Sequence, residues 1–159
     1  MEVFLLLTKH EAIAEQLFLE GYNCAQAVFM AFCDVTGMDE KTALQLSSSF
    51  GGGMGKLREV CGAVSGMFMV AGVLYGYDAP KDAQAKNAHY ARIQELAEAF
   101  QKENGSIVCR ELLGLDVKKE APIAAERTRE YYQKRPCVEL VKCAARVMDQ
   151  YIEKNGGLQ

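Results

Sequence analysis

The chain has 159 residues, half of them hydrophobic and a quarter charged, with a net charge of −3. Such a chain fits one soluble domain that buries roughly 70% of its unfolded surface without help from metal or disulfide. Lysine and arginine are scattered rather than striped, which argues against a nucleic-acid-binding face, and no apolar run nears the roughly 20 residues of a membrane span.

The opening, Met1 to Leu7, has a short apolar run and no basic region before it, and Lys9-His10-Glu11 follows at once. A signal peptide is not expected, and the chain is expected to be cytoplasmic. Its six cysteines are then expected to be reduced, catalytic or metal-binding rather than a disulfide framework.

Thr8 and Glu11 form a capping box for a first helix with Ile13, Leu17 and Phe18 on its apolar face and Gly21 as its stop. His10, in the first turn, reads as solvated. Asn23 and Gln26 cap a second helix that runs to Gly37 and carries Ala27, Val28, Ala31, Phe32 and Val35 inward. Cys24 opens that helix, while Cys33 points to about its opposite side and reads as a core residue. Asp39 caps a third helix with Ala43, Leu44 and Leu46, ending in Ser47-Ser48-Ser49.

Gly51, Gly52, Gly53 and Gly55 follow. Glycine lets a backbone take positive φ or approach another group closely. The segment from Glu59 to Tyr75 is apolar on all sides apart from Gly62, Gly66 and Gly72, which predicts a central helix buried all round. Pro80-Lys81-Asp82 begins a long helix to about Asn104, its inner face Ala85, Ala88, Ile93, Leu96, Ala97 and Phe100, with His89 at the surface. Ser106 caps a short helix, Ile107 to Leu113, with Cys109 in its first turn. A charged connection from Asp116 leads to Pro122 and a helix containing Ile123, Ala124, Tyr131 and Tyr132. Arg127, Arg129, Lys134 and Arg135 read as a solvated face. Pro136 starts a last helix to about Lys154, with Cys137 in its first turn and Cys143 further in.

The expected fold is all-α: a single-domain multi-helix bundle, residues 1–159, around the glycine-containing helix at about 59–75. No CxxC, haem-attachment CxxCH or zinc-finger spacing is present. What recurs is position: Cys24, Cys61, Cys109 and Cys137 each fall in the first turn of a helix, where free N–H groups and the helix dipole favour a thiolate. Four such placements predict one site assembled from distant segments. Packing alone is the competing reading, because cysteine is among the most buried residue types.

At Tyr22-Asn23-Cys24-Ala25-Gln26-Ala27, Phe50 to Gly55, Cys61-Gly62-Ala63-Val64-Ser65-Gly66, Cys109 to Gly114 and Arg135-Pro136-Cys137 the chain resembles a known family. This is the bacterial and archaeal family of redox-active proteins whose signature is written C_GCAxxG_C_C. The label spells Gly-Cys-Ala where this chain reads Cys61-Gly62-Ala63. The resemblance covers about residues 10–150 and leaves Cys33 and Cys143 outside the pattern. It implies redox activity and assigns no substrate, electron donor or partner. The related split-Soret-type cytochrome domain carries a haem-attachment sequence absent here, so haem is not carried over.

The leading expectation is a thiol redox protein working by thiol/disulfide exchange or electron transfer. Cys61 would attack, Cys24 would resolve, and Cys109 with Cys137 would form a second pair. Gly51, Gly52, Gly53, Gly55, Gly62 and Gly66 would bring backbone close to a cofactor or a partner sulfur. One alternative uses the same four cysteines to bind a metal or iron–sulfur cluster. Another is a non-catalytic helical interaction protein, conceivably a homodimer. The glycine loop lacks the spacing and Lys-Ser/Thr ending of a P-loop, and no strand precedes it.

Overall fold

The structure is a computed structural model that describes residues 7–116 and 118–157. The apolar opening, Met1 to Leu6, lies outside the described residues. In chain order the elements are α1 (Lys9–Leu19), α2 (Cys24–Ala31), α3 (Cys33–Thr36), α4 (Glu40–Ser47), a 3-10 turn (Ser48–Phe50), α5 (Gly51–Met54), α6 (Gly62–Tyr75), α7 (Ala83–Asn104), α8 (Cys109–Leu112), α9 (Arg129–Lys134) and α10 (Cys137–Lys154). The described residues contain no sheet, only one antiparallel bridge between Val60 and Val108, so the fold is all-α. No described helix is long and apolar enough to cross a membrane.

Local chemistry sets most helix starts. Thr8 accepts from the Glu11 N–H at 3.2 Å while the Glu11 carboxylate accepts from the Thr8 N–H. Asn23 and Gln26 repeat this at α2, and Asp39, Asp82 and Thr128 cap α4, α7 and α9. Such caps satisfy N–H groups that have no partner inside the helix.

The core joins α1, α2, α6, α7 and α10. Phe18, Phe29, Phe32, Met67, Phe100 and Met148 are almost wholly buried in it. A Cβ on Gly66 would stand 2.8 Å from the Ala25 carbonyl oxygen and 3.0 Å from the Val28 Cβ, so glycine there sets how closely α6 meets α2. The α10 helix buries Leu140, Val141, Cys143, Ala144, Ala145, Val147, Met148 and Ile152 along one stripe.

Several expectations are corrected. The second helix does not run unbroken to Gly37: it kinks at Phe32 (φ −101°), whose ring turns inward to stack on His10 at 4.1 Å. His10 is therefore buried rather than solvated, bonded to Asp149 at 2.6 Å and Asp34 at 2.9 Å. Cys33 is half-buried at the core's edge, and on α4 the buried residues are Ala43 and Ser47, with Leu46 exposed. The α6 helix starts at Gly62, because Glu59 to Cys61 pair with the 107–109 segment, and it is not enclosed: Gly72 faces open space and Val73 is exposed. On α7 only Leu96 and Phe100 are deeply buried, and Ala88 is exposed. Ser106 does not cap a helix from Ile107. Its hydroxyl accepts from the Val108 N–H, and α8 begins at Cys109.

The largest departure lies at 121–128, read from the sequence as helix. It forms a strap without helix, in which Ile123 is exposed rather than packed. Cations hold this strap by its ends. Lys56 donates to the Ile123 carbonyl at 2.6 Å, and the Arg127 guanidinium donates to the carbonyls of Phe18 and Tyr22 at 2.9 and 3.0 Å. Arg127 also stacks on the Phe18 ring at 4.0 Å, so it is not part of a solvated face.

Candidate functional site

Four helix starts meet at one place. Cys24, Cys109 and Cys137 are the first residues of α2, α8 and α10, and Cys61 is the N-cap of α6. All four line a single cavity of about 420 Å³, and all are free thiols. Cys33 and Cys143 do not line it. Cys143 lies under α7, donating to Glu103 at 3.2 Å and accepting from Asn104.

The bridge between Val60 and Val108 sets the backbones of two of the cysteines side by side. The Cys61 N–H bonds the Ile107 carbonyl at 2.8 Å and the Cys109 N–H bonds the Glu59 carbonyl at 2.6 Å, so two chain segments turn into helices from one shared anchor. Gly62 then admits the third. A Cβ there would lie 2.4 Å from the Cys24 sulfur, a separation that no side chain tolerates.

The glycine loop has an unusual backbone. From Gly52 to Lys56 every φ is positive, between 61° and 70°, and Arg58 follows at 57°. Element α5 is thus a left-handed turn, closed by the Gly55 N–H on the Gly51 carbonyl at 2.9 Å. Glycine adopts this freely, but Met54, Lys56 and Arg58 each cost roughly 1–2 kcal/mol there. Strain of that kind persists where surrounding contacts over-determine it, and it clusters at functional sites. The contacts here are the Glu59 N–H to the Gly53 carbonyl and the ion pair of Arg58 with Glu120 at 2.9 Å.

The six glycines expected near a cofactor divide by position. Gly51, Gly52, Gly55 and Gly62 line the cavity. Gly53 is buried behind it, where a Cβ would meet Cys109 and Arg58, and Gly66 serves the contact of α6 with α2.

Burial raises the pKa of Cys24, Cys61 and Cys137, against the helix-start expectation of a favoured thiolate. Burial raises the Cys24 pKa, with the charge of Cys109 adding and the Gly52 N–H opposing. Burial, then the charge of Cys24, pushes Cys61 well above the ordinary 9.0, against the N–H groups of Ala63 and Val64. Burial, then Cys24 and Cys109, takes Cys137 to about 11, against the Arg135 charge and a hydrogen bond from Tyr131. Desolvation and mutual repulsion therefore outweigh the helix dipole. Cys109 differs in having a cation on its sulfur: the Arg58 guanidinium, almost fully buried, donates to it at 3.5 Å.

Sequence reasoning missed Arg58 altogether and placed Arg127 and Arg135 on a solvated face. An arginine three residues before Cys61, directly after the glycine run, was the available signal. Among the described residues, no group of three or more His, Cys, Asp or Glu side chains is spaced to hold a metal ion, so the cluster alternative gains nothing from the geometry.

A family model described as "Putative redox-active protein (C_GCAxxG_C_C)" matches residues 22–151. The chain belongs to this family. The match spans all four cavity cysteines and bears out the resemblance drawn from them. No curated protein and no solved structure matches the chain at the similarity required. The family's description is redox activity without a named reaction, so the chemistry has to be argued from the cavity.

Proposed function

We propose that this protein carries out thiol/disulfide exchange within the four-cysteine cavity, with Cys109 attacking and Cys24 resolving. The observation that carries this reading is the convergence of four free thiols, from four separate helix starts, on one cavity. A thiolate is the attacking species, and a positive neighbour favours it. Arg58 supplies that charge to Cys109. Cys61, the attacker expected from the sequence, is poorly suited because burial and then the charge of Cys24 strongly disfavour its ionisation. Cys24 suits the resolving role because its charge bears on both Cys61 and Cys137, and it is itself affected by Cys109.

In the first step the Cys109 thiolate attacks one sulfur of a disulfide R–S–S–R. A Cys109–S–R bond forms, the S–S bond breaks, and R–S⁻ leaves to be protonated by water. Cys24 then loses its proton, attacks the Cys109 sulfur and displaces the second thiol. Two electrons pass from the cysteine pair to the disulfide, leaving a Cys24–Cys109 disulfide and two R–SH.

Counting thiols on the reduced protein before and after treatment with hydroxyethyl disulfide tests this. The six free thiols should fall by two, with the new linkage mapped to Cys24 and Cys109. Six thiols surviving, or a linkage confined to Cys33 and Cys143, would overturn the reading.

A further inference from the structure

The chain carries more acidic than basic residues, yet its cavity has the opposite character. Lys56, Arg58, Arg127 and Arg135 line it, and no aspartate or glutamate does. Glu120 stands behind the wall, 3.6 Å from Lys56 and 2.9 Å from Arg58, and answers those two charges with one. Arg127 bonds two backbone carbonyls, which are neutral. The Arg135 side chain makes no hydrogen bond or direct ion pair among the described residues, although its charge reaches Glu120 and its guanidinium lies 5.7 Å from the Tyr131 ring centre. Arg127 lies 5.1 Å from the same ring. Two cations without a direct carboxylate bond thus lie against Tyr131, which hydrogen-bonds Cys137.

Size narrows the class further. A cavity of about 420 Å³ suits a small molecule, since such sites run from roughly 300 to 1,000 Å³. Cys61 and Cys109 are only 5% and 7% exposed, and the strap adds Pro122, Ala124 and Ala125 to the wall of the same cavity. A disulfide held in the surface of a folded protein is poorly placed to reach a sulfur so little exposed. Phe18, Leu112, Leu113 and Leu140 supply apolar walls for a short carbon chain.

We infer that the substrate is a low-molecular-weight disulfide bearing carboxylates, one carboxylate seated between Arg127 and Arg135 while its sulfurs face Cys109. This rests on the exchange reading above and names its substrate. The electron balance is unchanged: the cysteine pair is oxidised to a disulfide and the small disulfide is reduced to two carboxylate-bearing thiols.

Three small disulfides of similar length separate the possibilities: dithiodipropionate (anionic), hydroxyethyl disulfide (neutral) and cystamine (cationic). Each rate with the reduced protein is divided by that of the same disulfide with free cysteine, which removes intrinsic reactivity. The normalised rate should be highest for dithiodipropionate, by about tenfold over the neutral disulfide, and lowest for cystamine. Arg135→Gln should lower the dithiodipropionate rate about tenfold and leave the hydroxyethyl disulfide rate within about twofold. Suberate, the corresponding dicarboxylate without sulfur, should bind the reduced protein by calorimetry and bind Arg135→Gln about tenfold more weakly. Equal normalised rates for all three disulfides, unmoved by Arg135→Gln, would overturn the anionic substrate alone. Suberate binding with no reaction toward any disulfide would overturn the exchange chemistry, and this substrate with it.

Discussion

Two polar clusters are set into this apolar bundle, and they are built in opposite ways. At one end of α10 the four cysteines share a cavity with Lys56, Arg58, Arg127 and Arg135. Further along, α10 meets α1 and α3 in a seam, where His10 bonds Asp34 and Asp149 and Arg146 bridges Glu11 to Glu103 at 2.7 Å on each side. In the seam nearly every charge has a counter-charge, and Asp149 Oδ2 alone is buried there without a hydrogen-bond partner among the described residues. In the cavity the cations exceed their carboxylates, the thiols hinder one another's ionisation, and the backbone alongside is left-handed. A buried cluster that satisfies itself holds elements together, and one left unbalanced beside open volume is suited to a ligand.

The sharpest way to break that contrast is to exchange the readouts. Cys109→Ser should reduce disulfide exchange to background, while its urea midpoint stays close to that of the parent protein. If the rate survives, the cavity is not where the chemistry happens. Gly62→Ala should damage both properties, because its new methyl would overlap the Cys24 sulfur at the contact of α6 with α2. An alanine variant with unchanged thiol reactivity and stability would mean that the four sulfurs are less confined than the geometry implies.

The mirror experiment belongs to the seam. His10→Ala removes the ring that separates two carboxylates and stacks on Phe32, leaving Asp34 and Asp149 facing each other. The loss should be roughly 2–4 kcal/mol by urea denaturation, as expected when one partner of a largely buried charged group is removed. Exchange rates measured well below the unfolding transition should not change. A large rate effect there would join the two clusters into one functional unit.

What could be read in the sequence follows from how local each interaction is. The capping boxes at Thr8 and Asn23 use partners three residues apart, so the starts of α1 and α2 were legible, and with them the place of Cys24. Pro136 did the same for Cys137. The small residues from Gly62 to Gly66 correctly signalled a close approach. His10 was misread because its partners lie 24 and 139 residues away, and nothing in its own helix points to them. Arg58 meets Glu120 across 62 residues for the same reason. The strap at 121–128 was misread because its apolar residues fit a helix, whereas bonds from Lys56 and Arg127 hold its backbone extended. Convergence of the four cysteines was therefore readable, and the charge surrounding them was not.

Proton linkage separates the two clusters by pH. Cys137 is an acid whose pKa rises from 9.0 to about 11 in the folded chain, chiefly through burial and then the charges of Cys24 and Cys109. Its contribution to stability is present below pH 9 and lost as pH climbs from there to about 11, up to about 2–3 kcal/mol over two units. Cys137→Ser should make that alkaline fall shallower in a pH series of urea midpoints, leaving the share carried by Cys24, Cys61 and Cys143. An unchanged fall would place its origin elsewhere.

The His10 effect is smaller and comes earlier. Burial lowers its pKa, but the hydrogen bonds it donates to Asp149 and Asp34 and their charges outweigh burial, leaving the folded value above 6.5. The imidazolium is therefore favoured by folding. Its contribution is complete below about pH 6.5 and fades as pH rises through the higher folded value. Above about pH 6.5, then, the seam should weaken while the Cys137 thiol still holds its proton. Stability should decline modestly over that window in the parent protein and not in His10→Gln, which has no proton to lose. Equal declines in both proteins would mean that His10 is neutral throughout and that its two carboxylates are balanced by Lys9 instead.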